Sequence, residues 1–411
     1  MNINWKKNTA LFLTGQALSQ FGSMIVQFAI MWHITLKSLS GSMMTLFVLV
    51  GILPMFFISP IAGVWADRYN KKHLINIADG TVAFFSLLAA VLLYLGYESY
   101  TLLLLCAFAR SLGMGVQEPA VNSFIPEIVP VEHLTKINGF KGIINSLVAV
   151  TCPMIAGALM TFTPLGTLFL MDVVTASIGI YIVYFFVKVP QKVPISSENN
   201  ETQPILPQKS SYIGELMEGL RYIKLQGYIL RIIILTAIFI FMIAPAAYLT
   251  PLQVARNFGN DVWRLSTIEI AFSGGALLGS LLIAFWGGFK NRIYTIALSV
   301  AVNGIFIMGL GITNSFLLYT ILMALAGVFI PLFQTPSMVI LQTKVQPEYM
   351  GRVMAVYAMN GSFMMPIGML VFGPLSDIIS LDTIMIFTGA VITILLIPMV
   401  SSKVLREAGK L

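Results

Sequence analysis

Apolar runs follow one another along almost the whole chain, separated by short polar breaks, and twelve can be marked: 9–36, 43–66, 73–95, 101–124, 137–161, 165–188, 228–251, 265–288, 293–312, 315–340, 352–375 and 381–401. Runs of roughly 18 to 25 residues are long enough to cross a hydrocarbon core about 30 Å thick. Inside lipid each backbone N–H and C=O needs an internal partner, which helices and closed barrels provide. Barrel strands would alternate apolar with polar positions. These runs do not alternate, so the pattern predicts an all-α membrane protein of twelve transmembrane helices. Lys6 and Lys7 lead into a first run too long for the core of a removable signal, so that helix is expected to stay.

One long polar interruption, residues 189–227, divides the runs six and six. The chain is therefore read as an N-terminal six-helix bundle over 1–188, a linker over 189–227 and a C-terminal six-helix bundle over 228–411. The linker begins Pro190-Gln191-Lys192 and passes through a Ser-Ser-Glu-Asn-Asn-Glu stretch, a composition that reads as disordered. Its second half sets Ile213, Leu216, Met217, Leu220 and Ile223 at helical spacing among charged residues, predicting an amphipathic helix on the membrane surface. The halves also repeat. Val129, Glu132 and Lys136 recur 216 positions on as Val345, Glu348 and Arg352; Gln117 and Pro119 recur 217 on as Gln334 and Pro336; Trp65, Asn70 and Lys71 recur 221 on as Trp286, Asn291 and Arg292. Duplicated halves suit a molecule that rocks about a site between them near the bilayer midplane.

Composition sharpens this picture. Apolar residues make up 57% of the chain and charged ones 10%, against roughly 25% charged in a soluble domain. Of 24 Lys and Arg, 20 fall on the side of the two termini, leaving Lys37, Arg256 and Arg264 on the opposite side and Arg110 inside a run. Basic residues stay cytoplasmic, so both termini are expected inside a bacterial inner membrane. The net charge of +7 then reads as attraction to anionic lipid, with no nucleic-acid partner implied. Cys106 and Cys152 lie in apolar runs and read as small packing residues.

After the second run stands Gly63-Val-Trp-Ala-Asp67-Arg68-Tyr-Asn-Lys71-Lys72. Gly63 would allow close helix approach, Asp67 could accept from N–H groups at a neighbouring helix terminus, and with the basic residues they would form a conformational latch. This loop resembles the signature of the major facilitator superfamily. Gly15-Gln-Ala-Leu-Ser, Arg110-Ser-Leu-Gly with Glu118-Pro-Ala, Leu134-Thr-Lys with Gly139, Ile268-Glu269-Ile-Ala-Phe-Ser-Gly-Gly, and Pro347-Glu-Tyr-Met-Gly351-Arg-Val with Met365-Pro-Ile-Gly368 extend the resemblance to its macrolide-efflux branch of drug–proton antiporters. The resemblance implies alternating-access export of small amphiphilic, macrolide-like molecules against protons by a monomer. Two departures stand out: Gly288 replaces the acidic residue in the second-half loop, and Cys152-Pro153-Met-Ile-Ala156-Gly157 replaces the Gly-Pro-x-x-Gly-Gly antiporter pattern.

Ionisable residues inside spans are costly and mark function. Glu118, Asp172 and Arg110 are the proton-coupling candidates, Glu118 foremost. Arg110 needs a partner, and Glu118 lies eight residues on, about 12 Å along a helix and too far for contact. Asp79, two turns into the third run, reads first as pairing with the basic loop. Gln16, Ser19, Gln20, Ser23 and Gln27 form a polar stripe on the first helix. Gln16, Gln20, Gln27, Gln117, Glu269, Gln334 and Asn360 are the substrate-cavity candidates. Three scattered histidines and no Gly-Lys-Ser/Thr phosphate loop point to no metal, cofactor, catalysis or ATP hydrolysis. Energy would then come from a gradient. A siderophore or lipid exporter of the same fold, or a non-transporting receptor or assembly subunit, are the alternative readings.

Overall fold

The computed structural model describes residues 4–188 and 212–410, and among these the chain is helical nearly throughout. The first half contains α1 (Trp5–Ser38), α2 (Gly41–Arg68), α3 (Lys71–Tyr94), α4 (Tyr100–Ile128), α5 (Leu134–Phe162) and α6 (Leu165–Phe186). A connecting helix α7 (Tyr212–Leu225) leads to α8 (Gly227–Tyr248) and a short α9 (Thr250–Phe258). Then come α10 (Val262–Trp286), α11 (Arg292–Ile312), α12 (Phe316–Lys344), α13 (Met350–Leu375), α14 (Leu381–Ile394), α15 (Leu396–Ser401) and α16 (Lys403–Ala408). Eleven of the described spans are long and apolar enough to cross a bilayer. The twelfth is α1, 34 residues long, whose row of Gln and Ser lowers its apolarity but not its reach. The fold is thus the expected all-α, twelve-span membrane architecture.

The sequence repeat has a structural cause. Val131–His133 and Pro347–Tyr349 are both single 3-10 turns, and the helices after them begin at Leu134 and Met350, again 216 apart. Asn70 and Asn291 are the N-caps of α3 and α11, their side chains accepting from the N–H of His73 and Ile293. Capping fixes where the third helix of each half starts. Within the halves small residues let backbones approach: a Cβ on Gly304 of α11 would stand 2.6 Å from the Gly389 carbonyl oxygen of α14.

Two expectations meet the structure differently. The first half of the linker lies outside the described residues. In α7, Ile223 does not face outward: it is buried, Tyr222 stacks on Tyr349 at 4.2 Å, and Glu218 pairs with Arg352 at 3.0 Å. Of the described side chains of the predicted apolar face, Met217 and Leu220 are exposed and Ile223 is not, so α7 docks on the start of α13 and offers the membrane part of its surface.

The halves meet at one end. Every hydrogen bond between them among the described residues lies at the face away from the termini. The carboxylate of Asp377, just past α13, accepts from the N–H of Gly41 at 2.7 Å and of Ser42 at 3.0 Å, and from the Ser40 hydroxyl at 2.9 Å. It therefore caps the N-terminus of α2 across the interface, where a negative charge is favoured. Arg256 of α9 adds a donor to the Leu39 carbonyl at 2.7 Å and one to Asp377 at 3.1 Å. The Thr45 hydroxyl donates to the Met369 carbonyl at 2.9 Å, and Gly157 of α5 abuts Ser266 of α10. Toward the termini α2, α5 and α13 separate: a Cβ on Gly63, Gly139, Gly142, Gly351 or Gly361 would meet nothing within 4 Å. The pair of bundles is closed on one face and open on the other.

Burial alone would push the Asp377 carboxyl up, but the donors from Ser42, Gly41 and Ser40 outweigh it and hold the group down at about 2. Because this value lies below the ordinary 3.8, the clamp is at full strength above pH about 4 and is lost as pH falls through about 2. At neutral pH, Asp377→Asn removes the charge on the α2 terminus and is expected to loosen this face. The check is labelling of a cysteine at Met44, which is fully buried behind the seal, by an impermeant maleimide. Labelling several-fold faster than in the parent supports the clamp, and an unchanged rate removes it.

Candidate functional site

Polar side chains gather on the inner side of the first half. Arg110 on α4 and Asp172 on α6 form an ion pair of 2.5 Å with side chains 3% and 0% exposed. The same guanidinium donates to the Ser86 hydroxyl of α3 at 2.9 Å and the Ser23 carbonyl of α1 at 2.5 Å. Asp172 also accepts from the Ser23 hydroxyl at 3.1 Å and the Ser86 hydroxyl at 2.7 Å. Four helices are tied at one point. Arg110 thus has the partner its burial demands, and the partner is Asp172; Glu118 is not brought to it.

One turn away on α1 is a second cluster. Asp79 of α3 is buried at 5% exposure and accepts from the Ser19 hydroxyl at 3.0 Å and the Gln117 amide of α4 at 2.6 Å. Gln117 also donates to the Gln16 carbonyl oxygen at 3.3 Å, and the Gln16 amide nitrogen is buried beside Asp79. Asp79 does not pair with the basic loop, because Lys71 is taken by Glu127 at 2.8 Å and Lys72 by the carbonyls of Tyr184 and Val187 at the end of α6. The polar stripe of α1 therefore splits. Ser19 and Ser23 serve the two buried carboxylates, Gln16 bridges to α4, and Gln20 and Gln27 are half-buried beyond them.

On α4, Gly113 packs on Ala78 and Val82 of α3, Gly115 on Met55 and Ile58 of α2, and Gln117 turns to α1. Glu118 is left on the remaining arc, exposed and with no hydrogen bond among the described residues. The second half presents a different wall. A cavity of 680 Å³ is lined by Phe239, Phe272, Phe333, Gln334, Met354 and Tyr357, among others of α8, α10, α12 and α13. Its counterpart between α1 and α5 has 950 Å³ and includes Phe21, Phe140, Ile144 and Lys136. Both lie between the first and fifth spans of their half. Of the second-half candidates, Gln334 lines the cavity. Asn360 instead donates to the Ile233 carbonyl of α8 at 3.0 Å, and Glu269 is half-buried on α10 within electrostatic reach of Tyr248 and Tyr319.

In the loop after α2, Asp67 and Arg68 are exposed and make no hydrogen bond or ion pair among the described residues. The close approach expected at Gly63 is not made in this conformation, since nothing stands within 4 Å of its Cβ position. Sequence reasoning missed Asp377, Arg256 and α9; the one readable signal was an acidic residue just past one helix end and a Ser-Gly-Ser start on another. Each cation on that face has a carboxylate: Lys37 with Glu98 at 3.1 Å, Arg256 with Asp377 at 3.1 Å and Arg264 with Asp261 at 3.3 Å.

Removing one member of a buried pair strands the other, at a cost of about 3–5 kcal/mol. Arg110→Gln and Asp172→Asn are each expected to lower thermal stability of the purified protein sharply. The double variant should recover a large part of that loss, and a double variant as unstable as the sum of the two would refute the coupling.

The Major Facilitator Superfamily model matches residues 12–369. Macrolide efflux protein A of Streptococcus pyogenes is 28% identical over 392 residues, covering 95% of this chain and 94% of that protein. The Enterococcus faecalis protein of the same name is 29% identical over 333 residues, covering 80% of this chain and all of its own, and the staphyloferrin A transporter of Staphylococcus aureus is 22% identical with 90% of each covered. Among solved structures, a bacterial homologue of the iron transporter ferroportin in an inward-facing state superposes with a TM-score of 0.69 at 17% identity, covering 96% of this chain and 99% of that one. With twelve spans, a repeat and a cleft between halves already described, the chain belongs to the major facilitator superfamily and is a multi-pass membrane transporter.

Proposed function

We propose that this transporter exports macrolide-like amphiphiles from the cytoplasm in exchange for protons, by alternating access between its two halves. The observation that carries the reading is the one-sided closure. The halves are clamped by Asp377 and Arg256 at one face and apart at the other; each half carries a cavity with aromatic side chains beside its first and fifth spans, and Gln20, Gln27 and Glu118 of the first half stay partly or fully exposed. An amphiphile can set its polar groups against the Gln and Glu side chains of α1 and α4 and its lipophilic body against flexible and aromatic residues. The two macrolide efflux relatives support the cargo class. The open face is assigned to the cytoplasm because unpaired basic residues crowd it, whereas the three cations opposite are each neutralised.

Export requires the open face to close. Asp67 ends α2 near the start of α13, as Asp377 follows α13 near the start of α2, so the antiparallel pair carries a carboxylate at each end. Asp67 is disengaged while its face is open and is proposed to cap α13 when that face shuts, with Gly63, Arg68, Lys71 and Lys72 completing the latch. The Arg110–Asp172 pair is assigned to holding the first half rigid, and Glu118 to the cleft end of the proton route. Gln20, Gln27, Glu269 and Gln334 are cargo contacts in this reading, and the transporter acts as a monomer. A siderophore or lipid cargo is the alternative; an anionic one is disfavoured because Arg110 is committed to Asp172.

Cells carrying the protein are expected to tolerate several-fold more macrolide and to accumulate less of it. Collapsing the proton gradient should abolish the difference, and Glu118→Gln or Asp67→Asn should reduce it. Equal susceptibility with and without the protein would end the export reading, and indifference to the gradient would end the antiport part of it.

A further inference from the structure

Two carboxylates of the first half are buried among the described residues, Asp79 and Asp172, and their surroundings differ in kind. Asp172 is answered by Arg110 and two hydroxyls. Asp79 receives only neutral donors, Ser19 and Gln117, with the Gln16 amide beside them. The charged groups around it do not compensate it. From α6 the nearest is Asp172, of like sign. From α4, Arg110 is already paired, Cys106 is a buried thiol, and Glu118 is turned outward. From α1 come only Ser19 and Gln16. On α3 itself Lys71 and Lys72 are engaged elsewhere and lie about two turns away. An uncompensated carboxylate in a low-dielectric interior is relieved by gaining a proton, a transported cation, or both in turn.

Resting on the antiport reading above, we propose that Asp79, and neither Glu118 nor Asp172, is the residue that holds the transported proton. The step is simple in its balance. A proton adds to one carboxylate oxygen to form an O–H bond and a neutral side chain; the same bond breaks on release, the electron pair stays on oxygen, and the proton passes to water in the cleft. The path outward is Gln117 and Gln16, both half-buried, whose amides can either donate or accept. The Gln16 amide nitrogen is buried beside Asp79. Once protonated, Asp79 becomes a donor and one of these amides must turn its oxygen inward. Loading thereby alters the α1–α4 contact, which borders the cleft. Glu118 is exposed, which suits passage and not storage; Asp172 is committed to Arg110.

The test uses the full-length protein in proteoliposomes with a radiolabelled macrolide as probe, comparing Asp79→Asn with the parent, together with infrared titration of the carboxyl C=O band. The proposal expects Asp79→Asn to lose transport driven by an imposed pH gradient, to keep gradient-free exchange of labelled for unlabelled macrolide, and to lose the titrating band. Ser19→Ala, which keeps the carboxyl but removes a donor, should retain the band with a displaced midpoint, and it serves also if the Asn variant does not fold. Gradient-driven transport by Asp79→Asn equal to the parent, or a titration unchanged in both variants, overturns the proposal while leaving export intact. If the parent moves no macrolide, the export reading fails instead, and the infrared titration still decides whether Asp79 takes up a proton.

Discussion

A charge placed within a bilayer must be met by an opposite charge, a set of oriented donors or water, because hydrocarbon offers none of these. The first half of this transporter is organised by that constraint. Arg110 and Asp172 draw α1, α3, α4 and α6 to a common point through five short contacts. The cost of burying them is recovered only if all four helices keep their places. A bundle fixed in this way can move as a unit, which a rocking mechanism needs. Among the described residues the second half shows no buried ion pair of this kind; its helices are held by glycine-mediated backbone contacts such as Gly304 on Gly389 and by a chain in which Tyr319 donates to Gln253 and the Gln253 amide donates to Asp382.

The ionic and amide chemistry lies inside the first bundle, on α1, α3, α4 and α6, whereas apolar, aromatic side chains line the cavity of each half. The internal repeat is visible in matched 3-10 turns and matched Asn caps. The Asp377 clamp obeys the same economy: a carboxylate at a helix N-terminus is satisfied by backbone N–H groups that would otherwise be orphaned, so one side chain can hold a whole helix.

Much of this was legible in the residues. Spans in lipid are set by length and apolarity, which are local, and the twelve runs coincide with helices to within a few residues. Where the reading departed, the cause was tertiary. The seventh run extends to 251, whereas the helix breaks at Leu249 between α8 and α9, and Pro251 sits in the first turn of α9. The site was less accessible. Burial required a partner for Arg110, but only packing could choose Asp172, 62 residues away, over Glu118 on the same helix. Asp79 looked like a companion of the basic loop because sequence distance cannot show that Lys71 is held by Glu127. Asp377 resembled any loop carboxylate, and its role exists only because α2 and α13 run antiparallel across the interface.

The account stands on the two halves exchanging which face is closed. Spin-label pairs at Ile143 with Phe285 on the open face and Tyr97 with Ile378 on the closed one, all exposed positions, would follow both ends by pulsed dipolar spectroscopy while pH and cargo are varied. The account predicts that the first distance shortens as the second lengthens, in matched populations. Two distances that widen or narrow together, or that hold still while transport proceeds, would contradict it.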